Sequence, residues 1–122
     1  MENKTLETVY RIVEGIDDKL GEDIAVLKLS EISSICDYFI IASATSLRQV
    51  KSIADEIEDR MEMLDMKLRN KEGHQTGNWI LLDYGDIVVH LFFEEDRGFY
   101  NLEKIWKDAE IIDVDNVIKN NI

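Results

Sequence analysis

The first twenty residues carry apolar side chains at alternating steps of three and four, at Leu6, Val9, Val13, Ile16 and Leu20. This spacing places them along one side of an α-helix. Lys19 suits the last turn, where a cation faces the partial negative charge of the helix end. Gly21 is well placed to end the helix just beyond Leu20. The pattern predicts an amphipathic helix over this stretch.

Strand patterns alternate with loops through the next part of the chain. Asp23–Leu29 predicts a first strand, and Tyr38–Ser43 is apolar enough to predict an internal second strand. A short polar edge strand is predicted at Met66–Arg69, and Lys71–Gly77 is rich in turn formers and predicts a loop.

A helical period returns after the second predicted strand. Ser46 and Gln49 fit a capping box, in which the hydroxyl accepts a helix N–H and the side-chain amide reaches back. The helix is predicted to end near residue 64 or 65. Its apolar side consists of Val50, Ile53, Ala54, Ile57, Met61 and Leu64.

The most strongly patterned stretch runs from Asn78 to Trp106. Two apolar, β-branched and aromatic runs flank Tyr84-Gly85-Asp86, which predicts a hairpin with its reversal at Gly85. Ile87–Phe93 is nearly continuous apolar sequence, as in an inner strand covered on both faces. A short helix is predicted around Phe99–Trp106, followed by a loosely packed tail from Lys107 with a final turn.

These elements predict one α/β domain, a mixed and mostly five-stranded sheet flanked by helices. The domain is assigned to residues 1–106 and the tail to residues 107–122. A chain of 122 residues with 45% apolar residues can bury a normal core. The sequence contains no proline, no repeat and no linker pattern that would separate two domains.

Composition restricts the class of partner. No run approaches the ~20 apolar residues of a membrane span, and the start lacks a signal-peptide pattern. The single cysteine, Cys36, excludes an internal disulfide, so a reducing cytoplasm is the expected location. A net charge of −12 indicates either a surface that keeps the protein soluble or one that attracts a basic partner by electrostatic steering. Direct, sequence-specific nucleic-acid binding is disfavoured because no cluster of Lys and Arg occurs.

Catalytic patterns are weak. The helix start at Ser46 suits an anion or an ordinary N-cap, but Ala44 stands where a phosphate loop would need glycine. Asp113 and Asp115 have the spacing of paired metal ligands yet lie in the tail. No cofactor or metal is therefore predicted.

The cysteine and the two histidines give no catalytic constellation in the sequence. Cys36 would need His74 or His90 within hydrogen-bond reach to act as a nucleophile, and a buried inert thiol is the simpler interpretation. His90 alternates with Val88 and Phe92 on one strand face, which favours a satisfied core or interface histidine.

Aromatic and acidic residues of the predicted hairpin suggest a partner-binding surface. Alternation puts Trp79, Leu81 and Asp83 on one face of the strand and Ile80, Leu82 and Tyr84 on the other. The pattern leaves open whether the aromatics are core residues or interface anchors.

Four ordered blocks, over about Leu6 to Trp106, resemble the Iojap family of ribosomal silencing factors. They are Asp37–Ser43, Thr45–Val50, Trp79–His90 and Phe99–Trp106. Ala44 stands where the family usually has glycine, and the tail lies outside the resemblance. The resemblance implies a fold related to nucleotidyltransferases without their catalytic carboxylates.

The resemblance also implies a function without enzymatic chemistry. Members bind the large ribosomal subunit through ribosomal protein fourteen, block its joining to the small subunit, repress translation when nutrients are scarce, and form homodimers when free. We expect the contact surface at Trp79, Leu81, Asp83, Tyr84, Asp86, Glu94 and Glu95. A nucleotidyl or phosphoryl transferase using the helix start at Ser46 is the alternative.

Overall fold

The computed structural model describes residues 2–32, 34, 36–95 and 107–118 of the chain. In chain order its elements are α1 (Glu2–Asp18), β1 (Glu22–Lys28), β2 (Tyr38–Ala44), α2 (Leu47–Met63), β3 (Asn70–Glu72), β4 (Trp79–Asp83), β5 (Ile87–Phe93) and β6 (Glu110–Ile111). The helix predicted at Phe99–Trp106 lies outside the described residues. Within them, no helix has the length and apolarity needed to cross a membrane.

The six strands of the described residues form one mixed sheet in the order β3–β4–β5–β2–β1–β6. The central pair, β2 and β5, is parallel, and each other neighbouring pair is antiparallel. A parallel pair needs a crossover, which α2, β3 and β4 supply between the two strands. The predicted single α/β domain with a mixed sheet flanked by helices is confirmed, with six strands in place of five.

Helices α1 and α2 cover one face of the sheet and enclose the main core. Alternation along the strands sends Ile40, Val89 and Leu91 into this core, while their neighbours turn to the opposite face. There a second apolar cluster forms from Leu27, Leu29, Cys36, Phe39, Ile41, Val88 and Phe92. Trp79 and Leu81 pack against this cluster without being fully buried. The sheet therefore has apolar contacts on both faces, as the sequence of β5 predicted.

Helix α1 ends earlier than its apolar stripe predicted. Leu20 adopts a left-handed φ of 63° and donates its N–H to Asp17 O at 2.9 Å, while Gly21 donates to Ile16 O at 2.8 Å. These two bonds form a Schellman motif. Leu20 is 61% exposed because this reversal turns it off the buried side, so its assignment to the stripe is wrong. A Cβ on Gly21 would lie 2.3 Å from Ile16 Cγ2, which explains the glycine by close packing.

Gln49 joins the end of α1 to the start of α2. Ser46 is the N-cap, and its Oγ accepts the Gln49 N–H at 3.1 Å, as predicted. Gln49 Oε1 reaches back to the N–H and hydroxyl of Thr45, at 3.1 and 2.8 Å, one residue earlier than in a standard capping box. Its Nε2 donates to the carbonyls of Lys19 and Leu20 at 3.1 and 3.0 Å. The Gln49 side chain thus satisfies backbone hydrogen-bonding groups just after the end of α1 and just before the start of α2.

Because of the way α2 ends, the next strand begins later in the chain than the sequence predicted. Leu64 is the C-cap and is 45% exposed, so it does not belong to the buried side of the helix. Asp65 takes a φ of 59°, and Met66 donates its N–H to Met61 O at 2.9 Å to close the helix. Because Met66 belongs to this reversal, strand pairing begins at Asn70, and the prediction of an edge strand at Met66–Arg69 is wrong.

The residues after Lys107 add a sixth strand. Glu110–Ile111 pairs with β1, opposite Lys28 and Leu27, and the side chain of Val114 joins the main core at 5% exposure. The loose packing predicted for this tail is therefore wrong for residues 110–114. Two residues are too few to show a strand period, so the sequence pattern did not reveal β6. The division at residue 106 stays a prediction.

Candidate partner-binding surface

The β4–β5 hairpin is fixed at its turn by local hydrogen bonds. Gly85 adopts a φ of 91° and donates its N–H to Asp83 Oδ1 at 2.8 Å, and Tyr84 donates its N–H to Ile87 O at 2.9 Å. A side chain at Gly85 would be strained at this φ and would meet the Arg69 guanidinium at 2.9 Å. The strands on either side are held in register from Trp79 opposite Phe92 to Asp83 opposite Val88.

The two faces of β4 have different roles. Ile80, Leu82 and Tyr84 belong to the main core under the helices. Trp79, Leu81 and Asp83, on the other face, are half-buried. The sequence left open which set was core, and the structure shows that it is the set containing Tyr84.

Tyr84 is thereby separated from the other predicted contact residues. Its side chain is 6% exposed, and burial, followed by the negative charge of Glu58, raises the pKa of its phenol to about 12. It lines a cleft of about 210 Å³ on the helix side of the sheet, beside Glu58, Glu62, Met66 and Leu68. The structure does not bring Tyr84 together with Trp79, because neighbouring strand residues face opposite ways.

Trp79 is held by an aromatic cluster on the outer face of the hairpin. Its indole Nε1–H donates to His90 Nδ1 at 3.1 Å, and its ring stacks on Phe92 with centroids 5.3 Å apart. The His90 ring also meets Phe39 edge-on at 4.7 Å. Burial lowers the pKa of His90 to about 4, so the ring is neutral near pH 7. Leu81 lies directly opposite His90 across the strand pair.

The bond from Trp79 determines the tautomer of His90. Since Nδ1 accepts the indole N–H, the proton of the neutral ring is on Nε2. Nε2 is buried and has no hydrogen-bond partner among the described residues. The sequence favoured a satisfied histidine, and this is right for Nδ1 and wrong for Nε2. A buried donor without a partner costs about 1–3 kcal/mol.

Acidic side chains lie at both ends of the Trp79–Leu81 segment. Asp83 and the exposed Asp86 are at the turn, where Asp86 O accepts the backbone N–H groups of Asp37 and Tyr38 at 2.8 and 3.0 Å. The exposed Glu94 and Glu95 follow β5 at the other end, next to Trp79. Five residue steps along β5, from Val88 opposite Asp83 to Phe93 before Glu94, separate the two ends by about 17 Å. We call Trp79, Leu81, Asp83, Asp86, Glu94 and Glu95 the hairpin patch.

Groups considered for catalysis are engaged elsewhere. Burial, then the charges of Asp37 and Asp83, raise the pKa of the Cys36 thiol to about 11, which disfavours the reactive thiolate. His74 Nε2 lies 2.9 Å from Asp55 on α2. Among the described residues no group of three or more His, Cys, Asp or Glu side chains could hold a metal ion.

The two tail carboxylates also have a local explanation. Asp113 Oδ1 accepts the Asp115 N–H at 3.0 Å, a bond across two residues that is typical of a turn. The spacing that suggested paired metal ligands in the sequence is thus that of a turn around the buried Val114.

Comparison with known proteins identifies relatives over nearly the whole chain. Residues 2–121 match the family model described as ribosomal silencing factor during starvation, so the match includes most of the tail. Ribosomal silencing factor RsfS of Bacillus subtilis is 43% identical over 99 residues, covering 81% of this chain and 84% of its own. The protein of the same name from Halalkalibacterium halodurans is 37% identical over 112 residues, with 92% and 96% covered.

A solved structure supports the fold. A crystal structure of a protein from Chromobacterium violaceum superposes with a TM-score of 0.81 at 32% sequence identity, covering 84% of this chain and 85% of the other. Two relatives and one structure thus agree with the resemblance found in the four sequence blocks.

Proposed function

The chain belongs to the family of ribosomal silencing factors, and from this premise we propose that it binds the large ribosomal subunit through ribosomal protein fourteen. Bound there, it occludes the face on which the small subunit docks and so represses translation when nutrients are limiting. It acts as a regulatory factor in the cytoplasm, by occupying a surface. Membership of the family, over residues 2–121, is the observation that carries this proposal.

The hairpin patch supplies a surface suited to a basic protein. Trp79 and Leu81 offer apolar area that a partner would desolvate, and aromatic anchors of this kind dominate the energy of interfaces. Acidic groups at both ends can pair with Lys or Arg of the partner. A net charge of −12 attracts a basic ribosomal protein while repelling ribosomal RNA. Tyr84 is left out of the patch because it is buried on the other face.

Sedimentation with purified subunits tests the proposal. The protein is mixed with isolated large or small subunits and centrifuged through a sucrose cushion. It is expected in the pellet with large subunits alone, and free ribosomal protein fourteen is expected to compete. Absence from the large-subunit pellet would contradict the proposal. Binding unaffected by the free ribosomal protein would keep the subunit as target and remove protein fourteen as the contact.

Charge reversal tests where the contact lies. Changing Glu94 and Glu95 to lysine is expected to slow association with ribosomal protein fourteen at low salt, with the difference fading toward ~0.5 M. A double change of Asp59 and Glu62 to lysine alters the net charge equally but on exposed positions of α2. Surface plasmon resonance at two ionic strengths distinguishes them. Equal slowing by both pairs would show that net charge matters and the hairpin end does not.

The transferase interpretation makes a separate prediction. In the structure the Ser46 hydroxyl caps α2 and the Gln49 side chain is engaged at both of its polar atoms. Isothermal titration with ATP and magnesium is expected to give no binding. Micromolar binding that Ser46→Ala abolishes would revive an enzymatic function.

We further propose that the free protein is a homodimer. Sedimentation equilibrium over a range of concentrations is expected to give twice the monomer mass of 14.2 kDa. A constant monomer mass up to about 100 μM, well above the Kd of a specific complex, would refute the dimer.

A further inference from the structure

We propose that His90 is a positioning residue of the hairpin patch, because it accepts the indole N–H of Trp79 and so fixes the orientation of the ring that the patch contributes to the contact. This inference rests on the proposed function and names the chemistry that the patch selects. It follows from the geometry of the Trp79–His90 pair and from the cost of burying a histidine on this face.

Two contacts fix the indole plane. The 3.1 Å bond to His90 Nδ1 constrains the edge of the ring that carries Nε1, and stacking on Phe92 at an interplanar angle of 24° constrains its face. His90 is itself held against Phe39, with ring centroids 4.7 Å apart and an interplanar angle of 66°. The indole is therefore held in place by His90 and Phe92 of β5, and Phe39 of β2 in turn holds His90. Preorganisation of this kind lowers the entropy lost when an interface forms.

Core packing alone does not explain a histidine at this position. The ring is 4% exposed, and its Nε2–H is buried without a partner among the described residues. A leucine or phenylalanine would fill the same apolar surroundings with no unpaired donor. What histidine adds is the acceptor at Nδ1, and the group that uses it is the Trp79 indole. The bond thus supplies a reason for an otherwise unfavourable residue.

The bond also restricts what the partner can offer. Since the Trp79 donor is already used, a carbonyl or carboxylate of the partner gains no hydrogen bond from it. The electron-rich ring face favours an aliphatic stem or a cation, above all an Arg guanidinium. Asp83 and Asp86 at one end and Glu94 and Glu95 at the other add attraction for the same charge. The patch therefore favours a Lys or Arg side chain of the partner.

A pair of substitutions at one position separates positioning from stability. His90→Asn keeps an acceptor near the place of Nδ1, whereas His90→Leu has similar volume and none. The leucine variant removes the unpaired donor and is expected to be the more stable of the two, as measured by urea unfolding. If His90 acts by positioning Trp79, the two variants should rank in the opposite order when their binding is measured. His90→Asn should bind large subunits within about threefold of the wild type, and His90→Leu should bind about tenfold more weakly.

Hydrogen exchange of the Trp79 indole supplies a readout independent of binding. Trp79 and Trp106 are the two tryptophans, so Trp106→Phe assigns the remaining indole signal in an NMR spectrum. The Trp79 N–H is expected to exchange at least about tenfold faster in His90→Leu than in His90→Asn. Trp79→Phe, which removes the N–H and keeps an aromatic face, should make the two His90 variants bind equally.

Two results would overturn the proposed role of His90. Wild-type binding by a His90→Leu variant with fast indole exchange would overturn it, because the bond would then be irrelevant to the partner. Equal weakening by both His90 variants would overturn it as well, since the acceptor would not be the feature that matters. If the wild type does not sediment with large subunits, the proposed function falls and this inference falls with it.

Discussion

Acid should destabilise the fold through His90, which is buried and neutral. In the unfolded chain its imidazole binds a proton as the pH falls through about 6.5. In the folded protein burial lowers the pKa to about 4, and a proton on Nδ1 would face the donor of Trp79. Between these values the unfolded state binds more protons than the folded state. The free energy of unfolding therefore falls as the pH falls through this window.

The magnitude follows from the two pKa values. A gap between 6.5 and about 4 corresponds to about 3 kcal/mol in full, of which about 2 kcal/mol is lost by pH 5. This is a large fraction of the ~5–15 kcal/mol that stabilises a typical domain. Above pH 7.5 the contribution is complete, because His90 is then neutral in both states.

Urea unfolding at pH 7.5, 6.0 and 5.0 measures this effect, with His90→Leu as the control. All other ionisable groups are the same in the two proteins, so their contributions cancel in the difference between the two curves. The wild type is expected to lose about 2 kcal/mol more than the variant between pH 7.5 and 5.0. Parallel loss of stability in the two proteins would show that His90 is not a buried neutral histidine, and would refute the account of the aromatic cluster.

Three further predictions concern single residues. Gly21→Ala should destabilise the protein by about 1–3 kcal/mol in thermal unfolding, because its Cβ would meet Ile16, whereas the Cβ in Gly15→Ala meets the flexible side chains of Arg60 and Glu56 and should cost less. Gln49→Ala should cost about 1–2 kcal/mol, since it removes the bonds that join the two helices; no loss would show that water replaces them. The Cys36 thiol should react with a disulfide reagent at pH 8 far more slowly in the folded protein than in urea, because burial raises its pKa to about 11; equal rates would contradict its burial.

Much of the fold could be predicted because its elements are regular. The period of α1, the cap at Ser46 and the turn at Gly85 each have a local physical cause that single residues reveal. Strands β2 and β5 are almost entirely buried, and their near-continuous apolar sequence showed it. Local patterns therefore predicted the centre of the sheet.

The remaining features depend on contacts between distant residues. Strand β6 has only two residues and forms because β1 offers an edge for pairing. The alternation of β4 divided its residues correctly, but only the position of the helices decided that Tyr84 faces the core. The bond between Trp79 and His90 joins two strands and has no signal in either strand alone. The sequence thus suggested the members of the candidate surface, but the separation of Tyr84 from them and the bond between Trp79 and His90 required the tertiary structure.

We propose that the protein blocks subunit joining by occupying one face of the large subunit. Sucrose gradients can test it by order of addition. Protein added to large subunits before small subunits should reduce the joined ribosome peak and leave the protein in the large-subunit fraction. Protein added to preformed ribosomes, at magnesium concentrations that prevent dissociation, should leave the profile unchanged. Undiminished joining in the first experiment, or rapid splitting of ribosomes in the second, would contradict it.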